Sequence, residues 1–206
     1  MDISEIAIYI AIGIGAYLIG SISPAVIISS RIEKKDIRNY GSGNAGTTNM
    51  VRTFGWKQGL ITFALDIAKG VLAAFLGGVF GGNIGTVIGS VLVVLGHNYP
   101  IYYGFKGGKG IAATMGVFLV ILPIQTVVAL AIVLPVIAIT RYVSVGSILG
   151  VLLEVVGVFI FYPEQVHLQI AVCILAAMAI FGHRANIARL CKGKENKLSF
   201  HSSKKE

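Results

Sequence analysis

Three glycine-rich polar segments of the chain combine the residue types that bind phosphate. They run over residues 41–49 (GSGNAGTTN), 106–110 (KGGKG) and 182–186 (GHRAN). Glycines let the backbone turn several N–H groups towards one point, and Lys, His, Asn and Thr side chains add further donors. The three segments therefore predict a site that binds a phosphate-bearing anion.

The first segment lies in the long loop between the first two apolar stretches. Its candidate side-chain donors of hydrogen bonds to a phosphate are Ser42, Asn44, Thr48 and Asn49. A flexible polar loop is the alternative. The apolar residues that follow, Met50, Val51 and Phe54, instead favour an embedded hairpin, and long structured loops are often functional.

The second segment precedes a predicted helix. A helix N-terminus offers free N–H groups and a positive dipole end, and lysines add mobile charge. A Walker A loop is excluded, because the GxxxxGK[ST] pattern needs glycine at 103 and Ser or Thr at 110, where the chain has Tyr103 and Gly110. The alternative is that the two lysines lie at a turn and only reflect the enrichment of positive charge in cytoplasmic loops. The candidate anion-binding residues are Lys106, Gly107, Gly108, Lys109 and Gly110.

Two histidines occur in matching contexts. His97 and His183 each follow a glycine near the end of a predicted helix, and the two helices run in the same direction. Both imidazoles are therefore expected at one membrane interface. There, either could act as a general base or donate a hydrogen bond to a bound phosphate. Asn98 and Asn186 lie close behind them in the sequence.

Three charged residues fall inside apolar stretches. Asp66 and Lys69 are spaced i, i+3, so they share a helix face and are expected to pair. A charged side chain inside a membrane is energetically costly, so each one is a candidate functional residue. A structural ion pair and a phosphate-binding role for Lys69 remain alternatives. Glu154 receives no role.

The composition predicts an integral membrane protein. Of the 206 residues, 55% are hydrophobic and 13% are charged, whereas soluble domains carry roughly a quarter charged residues. The net charge of +8 would suit nucleic acid, but the enrichment of lysine and arginine on the cytoplasmic side of membranes explains it more simply. We expect no nucleic-acid partner, no metal and no cofactor.

The apolar stretches run over 6–29, 57–80, 84–103, 110–122, 124–140, 144–162 and 167–184. The short fourth and fifth stretches form either one long helix or two helices broken at Pro123. With seven helices, 16 of the 17 lysines and arginines lie on one side of the membrane. With six helices, the seven lysines and arginines at the C-terminal end would lie on the opposite side. We therefore predict an all-α integral membrane protein with seven transmembrane helices, the N-terminus outside and the C-terminus cytoplasmic. Residues 1–206 form a single polytopic domain, with 185–206 an interfacial helix and basic tail.

The chain resembles the bacterial acyl-phosphate:glycerol-3-phosphate acyltransferase family of the PlsY type. The resemblance rests on GSGNAGTTNMVRTFG, GFKGGKG and GHRANIARLCKGKENKL, in this order and at these separations. It implies an essential Ser42 and Arg52, a phosphate-binding loop over 106–110, and functional His183 and Asn186. It also implies a Glu195 needed for integrity. The implied setting is the bacterial cytoplasmic membrane with a cytoplasmic active face, and we expect a monomer.

The implied reaction moves a fatty acyl group from acyl phosphate to glycerol 3-phosphate, the first acylation step of phospholipid synthesis. The mixed anhydride is already activated, so the site mainly has to hold two repelling phosphates together. Either His183 or the donor phosphate accepts the proton, and we favour the phosphate because no second residue clearly orients His183. A transporter of a phosphate-bearing anion and a protein that binds anionic lipid remain alternatives. The predicted set comprises Ser42, Arg52, His183 and Asn186 for catalysis, Asn44, Thr48, Asn49, Lys69, His97, Lys106, Gly107, Gly108, Lys109 and Gly110 for phosphate binding, and Asp66 and Glu195 as structural residues.

Overall fold

The structure, a computed structural model, describes residues 2–198, and between these residues it contains helices and no strand. The α-helices of this part are α1 (Ile3–Ser21), α2 (Pro24–Arg31), α3 (Thr47–Phe54), α4 (Trp56–Asn98), α5 (Ile111–Ile121), α6 (Pro123–Thr140), α7 (Val143–Phe161), α8 (Val166–Gly182) and α9 (Arg184–Cys191). Short 3-10 helices cover Ile37–Asn39 and Ile101–Tyr103. The predicted all-α class is confirmed for these residues. The end of the predicted basic tail, residues 199–206, lies outside the described residues.

Large apolar side chains cover the outer faces of the long helices. Ile139 is 82% exposed and Phe161 is 70% exposed. Contiguous apolar surface of this kind needs lipid around it, and helices satisfy their own backbone hydrogen bonds there. Within residues 2–198, the segments long and apolar enough to cross a membrane are Ile3–Arg31, Trp56–Tyr103, Pro123–Thr140 and Val143–Phe161, and the bent pair of α8 and α9 adds a fifth if it is one span. The protein is an integral membrane protein.

Helix α4 reverses direction at Gly82. Its backbone angles there are φ 56° and ψ −144°, a conformation that only glycine adopts readily. On either side of the reversal, Gly77 contacts Gly85 and Ala73 contacts Gly89. The two arms of α4, residues 56–81 and 83–98, therefore pack antiparallel. They correspond to the second and third predicted apolar stretches.

The fourth and fifth predicted stretches form two helices, as one of the two alternatives predicted. Leu122 lies between α5 and α6 with φ −140° and ψ 54°, and Pro123 begins α6. The first predicted stretch is wrong in one respect, because the structure breaks it at Ile22 and Ser23. The Ser23 hydroxyl accepts a hydrogen bond from the Val26 N–H at 3.4 Å and caps α2.

The helices pack closely through small residues. A Cβ at Gly20 would overlap the backbone of Val93, and a Cβ at Gly96 would overlap the carbonyl oxygen of Tyr17. Such contacts are typical of membrane helices, which gain packing energy by close approach. Behind these contacts, Val93, Val117, Val172 and Leu175 are fully buried.

Candidate functional site

A polar cavity of about 360 Å³ is lined by the first glycine-rich loop, by α3, α4, α5, α7 and α9, and by His183 between α8 and α9. It brings together residues from all three glycine-rich segments, although up to 144 positions separate them in the sequence, from Ser42 to Asn186. Both histidines line it, as expected from their matching contexts. The predicted residues that line it are Ser42, Asn44, Thr48, Asn49, Arg52, Asp66, His97, Lys109, Gly110, His183, Asn186 and Glu195.

Asn49 organises the first loop from inside. Its Oδ1 accepts the Ser42 N–H at 2.9 Å, and its Nδ2 donates to the carbonyl oxygens of Tyr40 at 2.9 Å and Asn44 at 3.1 Å. Both amide N–H groups are thereby used, and Asn49 is only 1% exposed. Asn49 therefore holds the loop in shape, with its amide N–H groups donating inside the loop.

The predicted embedded hairpin is instead helix α3, which follows Gly46 directly. Met50 on its inner face is fully buried in a small core with Ile37. Thr48 and Arg52, one turn apart, both line the cavity. Gly46 supplies no side-chain cap, so the first turn of α3 leaves N–H groups free to meet an anion.

A chain of polar contacts connects Lys109 to the C-terminal segment. The Lys109 ammonium donates to Asn186 Oδ1, and Asn186 Nδ2 donates to Glu195 Oε1 at 2.6 Å. Glu195 also accepts from Ser144 Oγ at 3.0 Å and from Arg189 Nε at 2.8 Å. Glu195 thereby ties the segment after α9 to the start of α7 and orients Asn186. This geometry fits the structural role that the resemblance implied for Glu195.

Burial governs the charge state of Lys109. Burial, with smaller contributions from Arg189 and Arg52, lowers the pKa of Lys109 to about 8, against the opposing effect of Glu195. Burial acts in the opposite sense on Glu195, but hydrogen bonds from Asn186, Arg189 and Ser144 outweigh it and lower the pKa of that carboxyl. At neutral pH the cavity therefore holds a charged lysine that is readily deprotonated.

Binding of a phosphate-bearing ligand should weaken above pH 8. Only the charged form of Lys109 attracts the anion, so affinity is full below the pKa of about 8 and should fall by up to about tenfold per pH unit above it. Calorimetric titration of glycerol 3-phosphate between pH 6.5 and 9.5 measures this. Lys109→Arg is the control, because a guanidinium stays charged throughout this range. An affinity that stays constant above pH 8 in the wild-type protein would contradict the assignment.

His183 is oriented by the backbone of its own helix. Its Nδ1 lies 2.8 Å from the carbonyl oxygen of Ala179, and a carbonyl can only accept, so Nδ1 carries the proton. The other ring nitrogen, Nε2, is left as an acceptor. The expectation that nothing orients His183 is therefore wrong. No sequence pattern marks the contact, since every helical residue has a carbonyl at this position.

Asp66, Lys69 and His97 form a buried cluster. The Asp66 carboxylate lies 2.9 Å from the Lys69 ammonium and 3.2 Å from His97 Nδ1, which confirms the predicted pair. Lys69 also donates to the carbonyl oxygens of Gly20 at 3.0 Å and Ile22 at 2.8 Å. All three of its N–H groups are thus used, and it does not line the cavity. The geometry favours the structural alternative for Lys69 over phosphate binding.

Only part of the second glycine-rich segment reaches the cavity. Lys109 and Gly110 line it, whereas Lys106 is exposed and lies outside its lining. Gly107 and Gly108 also lie outside the lining and pack against His97 instead. Of the predicted phosphate-binding loop, the structure therefore places only Lys109 and Gly110 in the cavity lining.

Several residues that the sequence reasoning missed also line the cavity, namely Phe63, Ser144, Ser147, Arg189 and Asn196. The serines lie at the start of α7, an apolar helix whose sequence shows no motif, and Arg189 is one of the many cations that the charge count places on one side. Among residues 2–198, no group of three or more His, Cys, Asp and Glu side chains could hold a metal ion.

The chain matches a family model described as glycerol-3-phosphate acyltransferase over residues 10–193. It is 45% identical over 189 residues to the glycerol-3-phosphate acyltransferase of Finegoldia magna, covering 92% of this chain and 96% of that protein. It is 48% identical over 183 residues to the protein of the same name from Thermoanaerobacter pseudethanolicus, covering 89% and 92%.

Two solved structures are also similar. One is a crystal structure of PlsY (YgiH), an integral membrane glycerol 3-phosphate acyltransferase, in the glycerol 3-phosphate form. It matches with a TM-score of 0.86 and 34% identity, covering 93% of this chain and 96% of that one. The other is the lysophosphatidic acid form of PlsY, with a TM-score of 0.84, 32% identity and the same coverage.

Proposed function

The chain belongs to the glycerol-3-phosphate acyltransferase family, and from this premise we propose that it acylates the 1-hydroxyl of glycerol 3-phosphate with acyl phosphate as the donor. The products are 1-acyl-glycerol 3-phosphate and inorganic phosphate. One observation carries the proposal. Arg52 and Lys109 line the same cavity, and within residues 2–198 neither forms an ion pair with a carboxylate.

Two phosphate-bearing substrates repel each other, so the site has to supply positive charge and position. Arg52 and Lys109 supply the charge, and the first turn of α3 adds N–H donors beside Thr48. Charges that are already in place stabilise the transition state without reorganisation. Holding both reactants together makes the attack effectively unimolecular.

The transfer balances without a covalent enzyme intermediate. The 1-hydroxyl oxygen attacks the acyl carbonyl carbon, the bond from that carbon to the phosphate oxygen breaks, and the hydroxyl proton ends on the departing phosphate. The protonation state of His183 leaves Nε2 as a hydrogen-bond acceptor. We assign it to hold the attacking hydroxyl, while the donor phosphate takes the proton.

We place the protein in the bacterial inner membrane with seven crossings and a cytoplasmic active face. Counting the two arms of α4 separately and α1 with α2 as one crossing, the apolar helices number seven among residues 2–198. The concentration of lysine and arginine at one end supports an outside N-terminus and a cytoplasmic C-terminus. We also propose that the protein acts as a monomer.

Labelling of a cysteine at the same end of the protein as the cavity can test the proposed orientation in the membrane. Cys191 at the end of α9 is exposed, whereas Cys173 within α8 is partly buried. In a Cys173→Ser background, a membrane-impermeant maleimide should label Cys191 in inside-out vesicles and leave it unlabelled in right-side-out vesicles. The reverse pattern would overturn the proposed orientation.

The function is tested with purified protein in lipid vesicles. Palmitoyl phosphate and labelled glycerol 3-phosphate, supplied without coenzyme A or a carrier protein, should give labelled 1-palmitoyl-glycerol 3-phosphate. Label that enters sealed vesicles unacylated would favour an anion transporter. Binding to anionic vesicles with neither product nor uptake would favour a lipid-binding protein. Either result would overturn the enzyme assignment.

A further inference from the structure

His97 contacts the second glycine-rich segment through both its backbone and its ring. Its carbonyl oxygen accepts the Gly108 N–H at 3.1 Å. A Cβ on Gly108 would overlap His97 Nε2 and lie 2.9 Å from Cδ2. The imidazole thus occupies the space that any larger residue at position 108 would need.

The imidazole is held in place from behind. Its Nδ1 contacts Asp66 at 3.2 Å, and Asp66 contacts Lys69 at 2.9 Å. Lys69 in turn is fixed to the carbonyl oxygens of Gly20 and Ile22 at the end of α1. Asp66, Lys69 and His97 are 1%, 7% and 6% exposed, so the ring cannot turn away without breaking a buried polar cluster.

The opposite side of the segment is also closed. Ala45 in the first glycine-rich loop donates its N–H to the Gly107 carbonyl oxygen at 3.4 Å. The Ala45 carbonyl oxygen lies 3.0 Å from the Cβ position at Gly108. Gly108 is therefore clamped between His97 and Ala45, and the next residue in the chain is Lys109.

We propose that His97 is a positioning residue, which sets the place of the Lys109 ammonium in the cavity by clamping Gly108. The Asp66–Lys69 pair fixes the ring that does so. This role replaces the predicted contact of His97 with substrate phosphate. It rests on the proposed function, in which Lys109 meets a substrate phosphate, and it gives the buried charges of α4 a part in the reaction.

A double-mutant cycle tests the clamp. Gly108→Ala should lower kcat/KM for glycerol 3-phosphate about 100-fold, as expected for a displacement of about 1 Å near the reacting groups. His97→Ala should lower it about tenfold by loosening the segment, since residues in contact are strongly coupled. The double variant should remain near the His97→Ala value, because removal of the imidazole leaves room for the new methyl group at position 108. His167→Ala, at the other end of α8, is the matched control and should behave as the wild type.

A second readout separates positioning from general damage. Lys109 is faced by Arg52 from α3, His183 at the end of α8, Arg189 from α9, and Glu195. Its pKa of about 8 reflects burial together with Glu195, Arg189 and Arg52, against an ordinary value of 10.5. When His97→Ala loosens the segment, the ammonium should gain water. The alkaline limb of the KM profile should then move to higher pH, and it should stay in place in His167→Ala.

Two results would overturn the proposal. The first is a double variant whose loss equals the product of the two single losses. The second is an unmoved alkaline limb in His97→Ala. Elution of each variant as a single detergent-solubilised species checks that it folds. An inactive wild-type protein would instead remove the proposed function and is recognised before any variant is compared.

Discussion

Replacement of Arg52 by alanine is expected to lower kcat/KM for glycerol 3-phosphate by about 100- to 1,000-fold. Truncating one partner of a buried, hydrogen-bonded charge pair costs about 2–5 kcal/mol or more, and each 1.4 kcal/mol is tenfold. Arg52 lines the cavity, and among residues 2–198 no carboxylate pairs with it. Its guanidinium is therefore available to a substrate phosphate.

Steady-state kinetics at several concentrations of glycerol 3-phosphate measure the effect, which should appear in both KM and kcat, because Arg52 holds the substrate phosphate and also stabilises the transition state. Arg52→Lys should lie between the wild type and Arg52→Ala, because an ammonium keeps the charge and loses the two-pronged contact. Arg184→Ala is the matched control, since Arg184 lies outside the cavity lining and packs over the Phe181 ring. An unchanged KM in Arg52→Ala would show that another cation holds the phosphate.

Replacement of His183 by alanine is expected to lower kcat about 100-fold, because the attacking hydroxyl loses the group that positions it. His183 lines the cavity with Nδ1 bound to Ala179, so its Nε2 can accept a hydrogen bond from the attacking hydroxyl. His183→Gln should recover most of the rate, because an amide oxygen can accept the same hydrogen bond without taking a proton.

Rapid-quench measurement of product formation at saturating substrate follows these rates directly. His167→Gln provides the same substitution away from the cavity and should leave kcat unchanged. If His183→Gln is as slow as His183→Ala while both substrates still bind, the proton passes through the imidazole. The donor phosphate would then not take the proton directly.

The helices could largely be predicted from apolar stretches, since lipid exposure leaves a strong hydropathy signal. The break between α5 and α6 was foreseen because Pro123 restricts the backbone. The break at Ile22 and Ser23 was missed, although Ser23 and Pro24 stand at the capping and first positions of a helix, where these residue types are favoured. The apolar residues on either side concealed this signal.

The site was predicted less completely, because a sequence shows which groups are present and not which are already satisfied. Lys69 and Asn49 looked available for phosphate, yet the fold uses their N–H groups internally. From the sequence alone, Lys106 and Lys109 are equally good candidates for phosphate binding, but only Lys109 lines the cavity. The contact between His97 and Gly108 depends on how distant helices pack, which no local pattern encodes.

Direct acyl transfer between two phosphate-bearing substrates in one cavity can be followed from both products at once. The most direct test is the simultaneous time course of inorganic phosphate and 1-acyl-glycerol 3-phosphate from purified protein, acyl phosphate and glycerol 3-phosphate. We expect one phosphate to be released for each acylated product, and its release to require glycerol 3-phosphate. Phosphate release that proceeds equally without glycerol 3-phosphate, or product that forms only from acyl-coenzyme A, would contradict direct transfer.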